Sequence, residues 1–148
     1  MTPEQIQLVR ATWEIAAEDP DILTTNFYAH LFAIDSGIAR MFGGVDMASQ
    51  KKKVAQALAV VVTALDDLES LLPALSALGK RHVNYGVESR HFDAVGDALI
   101  WALRDSIGDA FTPAVQHAWG DAYAVVASVM RRPLERAEPN AMHLLAAK

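Results

Sequence analysis

Apolar residues recur at helical intervals along most of this chain. Ile6, Val9, Trp13 and Ala16 fall on one helical face. The start of that helix is written just ahead of them, with Thr2 as N-cap, Pro3 at the first helical position and Gln5 three residues beyond the cap, a capping box. Asp19-Pro20 should stop it. A second helix opens near Asp21 and carries Ile22, Leu23, Phe27, Leu31 and Phe32; after Asp35-Ser36-Gly37 a short helical turn reaches Met41-Phe42, where Gly43-Gly44 breaks it. The next helix begins near Ser49, and its stripe of Val54, Leu58, Val61, Val62, Leu65 and Leu68 predicts burial along much of its length.

Leu71 to Tyr85 reads as shorter helical pieces around Pro73 and Gly79, closed by Gly86 as a left-handed cap, with His82 in the last turn. Phe92, Val95, Leu99, Leu103 and Ile107 predict a further amphipathic helix. Thr112-Pro113 opens the final one, with Val115, Trp119, Tyr123, Val126 and Met130 inward, and Pro133 should end or kink it. Residues 133–148 form a weakly patterned tail in which Met142, Leu144 and Leu145 either dock as a short helix or fray.

No segment alternates as a half-buried strand does, and the β-branched run from Val60 to Thr63 lies inside a helical period. The fold class is therefore all-α, with seven or so helices, more than a simple four-helix bundle needs. The chain of 148 residues has the length of one domain, 1–148, and contains no internal repeat, low-complexity tract or linker.

Composition narrows the function. Hydrophobic residues make up 52% of the chain, which fits an interior lined for an apolar ligand and equally a large ordinary core. The net charge of −5, with Lys51-Lys52-Lys53 as the sole basic cluster, leaves no footprint for nucleic acid. The polar N-terminus shows no secretion leader. The greasiest stretch, Val54 to Leu65, is interrupted by Gln56 and Thr63 and falls short of the roughly 20 apolar residues that span a bilayer. A soluble, cytoplasmic protein without membrane insertion is expected. The absence of cysteine excludes disulfides, thiolate metal sites and cysteine nucleophiles. Histidine is then the strong nitrogen donor left for a metal, although a lone histidine at a helix end is more often a surface or core residue.

Several motifs occur together in a fixed order: Trp13, Phe27-Tyr28-Ala29-His30-Leu31-Phe32, Met41-Phe42, Gln50, Leu78-Gly79-Lys80-Arg81-His82, and Ala118-Trp119-Gly120-Asp121-Ala122-Tyr123. With the 32-residue step from Gln50 to His82, they resemble the bacterial single-domain globins of the Vitreoscilla haemoglobin and flavohaemoglobin globin-domain type, over about residues 4–131.

The resemblance implies a globin fold packed three-on-three around haem b. His82 would bind the iron, its other ring nitrogen donating to a backbone carbonyl one turn earlier. Phe42 would pack on the haem face, and Tyr28 and Gln50 would donate hydrogen bonds to bound oxygen, each worth about 1 to 3 kcal/mol. Val54 would crowd the gas, Lys53 would reach a haem propionate, and Val87, Phe92, Val95 and Leu99 would finish the apolar wall on the proximal side. Each also has a plainer reading: an interior tyrosine bonded to backbone, a solvated glutamine, an exposed lysine, core apolar residues.

One departure bears on mechanism. The family carries a tyrosine where this chain has Phe92, in His91-Phe92-Asp93, and a glutamate where it has Leu134 beside Glu135. The proximal hydrogen-bond relay should be weakened, unless Glu135 substitutes through a register shift at Pro133. A flavin domain does not fit in this length, so redox turnover would need an external flavin reductase. The implied function is tight, reversible binding of oxygen or another diatomic gas, with oxygen transport or conversion of nitric oxide to nitrate as roles. Two rival readings stand beside it. One is a haem-free or sensor-type interaction module. The other is a six-coordinate electron-transfer or peroxidase-like globin with Gln50, Tyr28 or Lys53 near the sixth site.

Overall fold

A computed structural model of the chain describes residues 1–146, with side chains for all of these except Asn84 and 134–146. The described residues form seven α-helices: α1 (Pro3–Ala16), α2 (Pro20–Ile34), α3 (Ser36–Met41), α4 (Met47–Thr63), α5 (Leu72–Asn84), α6 (Ser89–Ile107) and α7 (Pro113–Ala146). Short 3-10 turns occupy Leu68–Leu71 and Gly108–Ala110. No strand occurs among the described residues, and none of their helices is long and apolar enough to cross a membrane.

Helix starts follow their caps. Thr2 Oγ1 accepts the Gln5 N–H at 3.1 Å while Gln5 Oε1 accepts the Thr2 N–H at 3.0 Å, completing the predicted box. Asp19, Asp35 and Asp46 cap α2, α3 and α4 in turn, each carboxylate accepting backbone N–H groups at the positive end of the helix dipole.

Four expectations need correction. α5 is one helix, because Pro73 sits in its first turn, where a missing N–H costs nothing. Gly79 does not interrupt it; a Cβ there would stand 2.6 Å from the Met130 carbonyl oxygen, so the glycine lets α5 press against α7. α4 stops at Thr63, and of the predicted stripe Val62 and, beyond the helix, Leu65 are buried, while Val54, Leu58, Val61 and Leu68 are half-buried. The reason is packing: α4 rests on α1 and α2 and makes no extended backbone contact with α5. Ile22 points outward, because α2 buries the face of Leu23, Thr24, Phe27, Tyr28 and Leu31. Finally, α7 continues past Pro133 to Ala146: a proline removes one backbone donor, a loss that a helix already docked on α1, α5 and α6 can absorb. The side chains of Leu134, Glu135, Met142, Leu144 and Leu145 lie outside the described residues, and with them the relay through Glu135 and the docking of the tail.

The helices build two apolar clusters. The larger joins α1, α2, α4, α6 and α7 through Val9, Leu23, Phe27, Leu31, Leu103 and Trp119. A buried polar link within it is satisfied: the Trp119 indole N–H donates to Thr12 Oγ1 at 2.9 Å, and Thr12 donates to Leu8 O at 2.7 Å. The smaller cluster joins α5, α6 and α7 through Phe92, Ala127 and Met130, with Leu78, Val83 and Val87 packed on it. Tyr123 packs against both. α6 thus runs from one cluster into the other, whereas α4 and α5 belong to different ones.

Candidate functional site

The first group of site residues forms where α2, the end of α3 and the start of α4 converge. Tyr28 is buried on α2, its ring edge-on to Phe42 with centroids 5.5 Å apart and 5.6 Å from Phe32. Phe42, half-buried just past α3, also meets Phe32 at 5.6 Å, so three aromatic rings close on one another. Burial pushes the Tyr28 phenol above its ordinary range, and the Gln50 carboxamide beside it draws it partly back. The phenol therefore keeps its proton through the neutral range and is available as a donor. Val54, one turn beyond Gln50, packs on the larger cluster.

Lys53 is exposed. The lysine that makes a contact is Lys51, whose Nζ donates to Thr25 Oγ1 at 3.1 Å and ties the start of α4 to α2. Nothing in the Lys51-Lys52-Lys53 run singles it out beforehand.

The second group surrounds the end of α5. His82 Nδ1 lies 2.7 Å from the Leu78 carbonyl oxygen. A carbonyl only accepts, so Nδ1 carries the hydrogen and Nε2 keeps its lone pair, the tautomer a metal ligand needs. Phe92 lies 6.4 Å from the imidazole and Tyr85 5.9 Å from it, centroid to centroid. Gly86, at φ +81°, turns the chain after α5, and the Val87 N–H returns to His82 O at 3.1 Å. Val87 packs with Phe92 in the smaller cluster, whereas Val95 and Leu99 lie in the larger one with Tyr28. The apolar wall expected around His82 is thus divided between the clusters.

Around Phe92 stand residues whose meeting pattern reading did not foresee. Tyr123 donates its hydroxyl to Phe92 O at 2.6 Å, Arg131 pairs with Asp93 at 2.6 Å, and the Arg131 guanidinium carbon lies 5.4 Å from the Phe92 ring centroid. Arg131 follows Tyr123 by eight residues, the same face of α7, which was the available signal. A groove of about 460 Å³ opens between α6 and α7 beside these residues, at Gly96, Ile100 and Ala127. His91 was also missed. It is buried, accepts the Glu88 N–H on Nδ1 at 2.9 Å, and turns Nε2 toward Asp35, 3.9 Å away. Arg90 bridges Asp35 and Glu88 at 3.0 and 2.7 Å, holding the exposed Glu88 carboxyl below its usual range. The corner between α2 and α3 is thereby fastened to the loop that follows α5.

Chemically, the two groups are complementary. No three His, Cys, Asp or Glu side chains converge among the described residues, so a bare metal ion finds no ligand set. One imidazole with a fixed lone pair, in apolar surroundings and with separate phenol and carboxamide donors, fits a prosthetic group that brings its own in-plane donors, as haem does.

Residues 25–130 match the family model described as globin. The flavohemoprotein of Bordetella parapertussis is 30% identical over 107 residues, 71% of this chain and 27% of that protein. That of Chromobacterium violaceum is 31% identical over 108 residues, with the same coverage. The chain spans about a quarter of the length of these curated relatives. Among solved structures, a bacterial globin from Campylobacter jejuni is 26% identical, covering 90% of this chain and 99% of that one, with a TM-score of 0.78. An engineered carbene transferase from Rhodothermus marinus, built on a candidate nitric oxide dioxygenase, is 23% identical, covers 99% of both chains at a TM-score of 0.79, and shares the fold.

Proposed function

From the premise that the chain belongs to the globin family, related to bacterial flavohemoproteins, we propose that it holds haem b through His82 and binds oxygen or another diatomic gas reversibly. The observation that carries this reading is the Nδ1–Leu78 bond, which leaves Nε2 of His82 as a neutral lone-pair donor in a fixed orientation. Haem, when bound, would supply the iron that takes up the gas. The rest falls to the chain's own residues. Tyr28, kept protonated by burial, and Gln50 beside it supply the donors that strengthen gas binding by about 1 to 3 kcal/mol each. Phe42 and Val54 shape the apolar side of that pocket, and Phe92, Val87, Val95 and Leu99 the side of His82. Lys53, at the surface, is assigned to a haem propionate.

Conversion of nitric oxide to nitrate is a second reading, supported by the description of the Rhodothermus marinus relative's parent and by the flavohemoprotein likeness. It requires a reductant that returns the oxidised haem iron to the ferrous state. The six-coordinate alternative is disfavoured on two grounds: burial resists the ionised Tyr28 it would use, and Lys53 is exposed. A chain without cysteine suits the reducing cytoplasm proposed as its location.

The test is addition of haemin to the purified protein. A Soret band should form in the wild type, vanish in His82→Ala, and return in His82→Gly supplied with imidazole. A wild type that stays colourless overturns the reading in favour of a haem-free module.

A further inference from the structure

Phe92 has two neighbours of very different character. On one side is His82, 6.4 Å between ring centroids at a tilt of 37°; on the other the Arg131 guanidinium, 5.4 Å from the Phe92 centroid and within cation–π range. The guanidinium is not centred in its own ion pair. Asp93, its partner at 2.6 Å, is 72% exposed, whereas the Arg131 side chain is 26% exposed and its Nε is buried with no acceptor among the described residues. The pair is therefore a dipole with its negative end in water and its positive end toward Phe92. The Tyr123 hydroxyl, bonded to Phe92 O at 2.6 Å, fastens this part of α6 to α7, so the arrangement has little slack.

We propose that Arg131 is a positioning residue that acts through Phe92 on His82, polarising its ring and favouring the ferrous state of a bound haem. This rests on the haem reading above. Two consequences follow from the geometry. His82 Nδ1 has the Leu78 carbonyl as its acceptor and no carboxylate among the described residues, so nothing there draws its proton away. Arg131 adds a positive potential that makes both electron donation from His82 and the extra charge of ferric iron less favourable.

The size of the effect can be bounded. The guanidinium lies within about 12 Å of the imidazole, and at the effective dielectric of a protein a unit charge at that range shifts an equilibrium by about tenfold. Asp93 on the water side takes part of this back. Lys80 and Arg81 on α5 are exposed, and solvent screens them. A net change of about threefold in the ferrous-to-ferric ratio remains, or about 28 mV at 59 mV per decade for one electron.

The experiment measures the midpoint potential of the haem-loaded protein, together with the vibrational frequency of the iron–His82 bond. Arg131→Met, which keeps length and loses charge, should lower the potential by about threefold in ratio and raise the bond frequency; Arg131→Lys should restore most of both. Asp93→Asn, at an exposed position, should move the potential the other way. Opposite signs for Arg131→Met and Asp93→Asn are the signature of charge, since loss of a merely structural ion pair would move both alike. A wild type that binds no haem overturns the haem reading and this one together. Wild-type binding with potentials unchanged, or shifted in the same direction by both substitutions, overturns this one alone.

Discussion

Gly79 and Met130 bring α5 and α7 to backbone contact: a Cβ on Gly79 would stand 2.6 Å from the Met130 carbonyl oxygen and 3.0 Å from its Cα. Neither atom is the far end of a flexible side chain, so the helices themselves must part to admit a methyl group. Gly79→Ala should destabilise the protein by about 1 to 3 kcal/mol, the usual range for overpacking. It should also weaken haem retention, because His82 lies less than one turn further along the same helix. Denaturant midpoints and haem transfer to an acceptor globin measure the two effects. Unchanged stability would mean that α5 can stand off from α7 at no cost.

The Tyr28–Gln50 neighbourhood makes a kinetic prediction. If both donate to the bound gas, Tyr28→Phe and Gln50→Leu should each speed oxygen release from the ferrous protein by about 5- to 150-fold, the equivalent of about 1 to 3 kcal/mol. Stopped-flow release is the measurement. Less than a twofold change in both variants would remove the two residues from the gas site.

Burial of tyrosine makes stability fall at alkaline pH. Burial pushes the phenols of Tyr28 and Tyr123 up, Gln50 partly offsetting the first and Arg131 the second. In the unfolded chain tyrosine ionises near pH 10. Below that value both states are protonated and neither residue adds any pH dependence. Above it the unfolded state releases its protons first, so unfolding becomes easier by about 1.4 kcal/mol per pH unit for each such group, until the folded phenol also titrates. Tyr123→Phe should flatten the alkaline slope, even though it loses the bond to Phe92 O and starts from a lower stability. A slope identical to wild type above pH 10 would contradict this account.

Trp119 and Thr12 provide a buried polar test. Thr12→Val leaves the Trp119 indole N–H without its acceptor and should cost about 1 to 3 kcal/mol, whereas Thr12→Ser keeps the hydroxyl and should cost less. Thermal unfolding of the two variants separates loss of the bond from loss of a methyl group.

Much of this was legible in the sequence because it is local. A capping box involves residues three apart, and a helical stripe repeats within one element, so Thr2, Gln5 and the inward faces of α1, α6 and α7 were found where expected. The carbonyl partner of His82 Nδ1, one turn earlier at Leu78, is where the family resemblance put it, whereas the burial of Tyr28 suits both its gas-site reading and the plainer one. What escaped depends on which element meets which. Gly79 and Pro73 carry the marks of helix breakers, yet one accommodates α7 and the other occupies a first turn; single-chain propensity has no knowledge of α7. The apolar stripe of α4 predicts burial, but an element packed on α1 and α2 alone is covered on those sides only. Tyr123 meets Phe92 across 31 residues of sequence and Arg131 meets Asp93 across 38, and no periodicity announces such a meeting.

The separation of α4 from α5 also shapes how the molecule comes apart. Each leans on a different apolar cluster, and the chain between them, residues 64–71, contains only a short 3-10 turn. Opening at that joint breaks few buried contacts, whereas parting α2 from α6 breaks the main core. Amide hydrogens of α4 and α5 should therefore exchange through local opening, well before those of α2 and α6, which await global unfolding. A flat guest admitted between α4 and α5 would bridge two units that otherwise fluctuate independently, and would slow exchange in both at once. The same guest would raise the unfolding temperature in proportion to how tightly it is held.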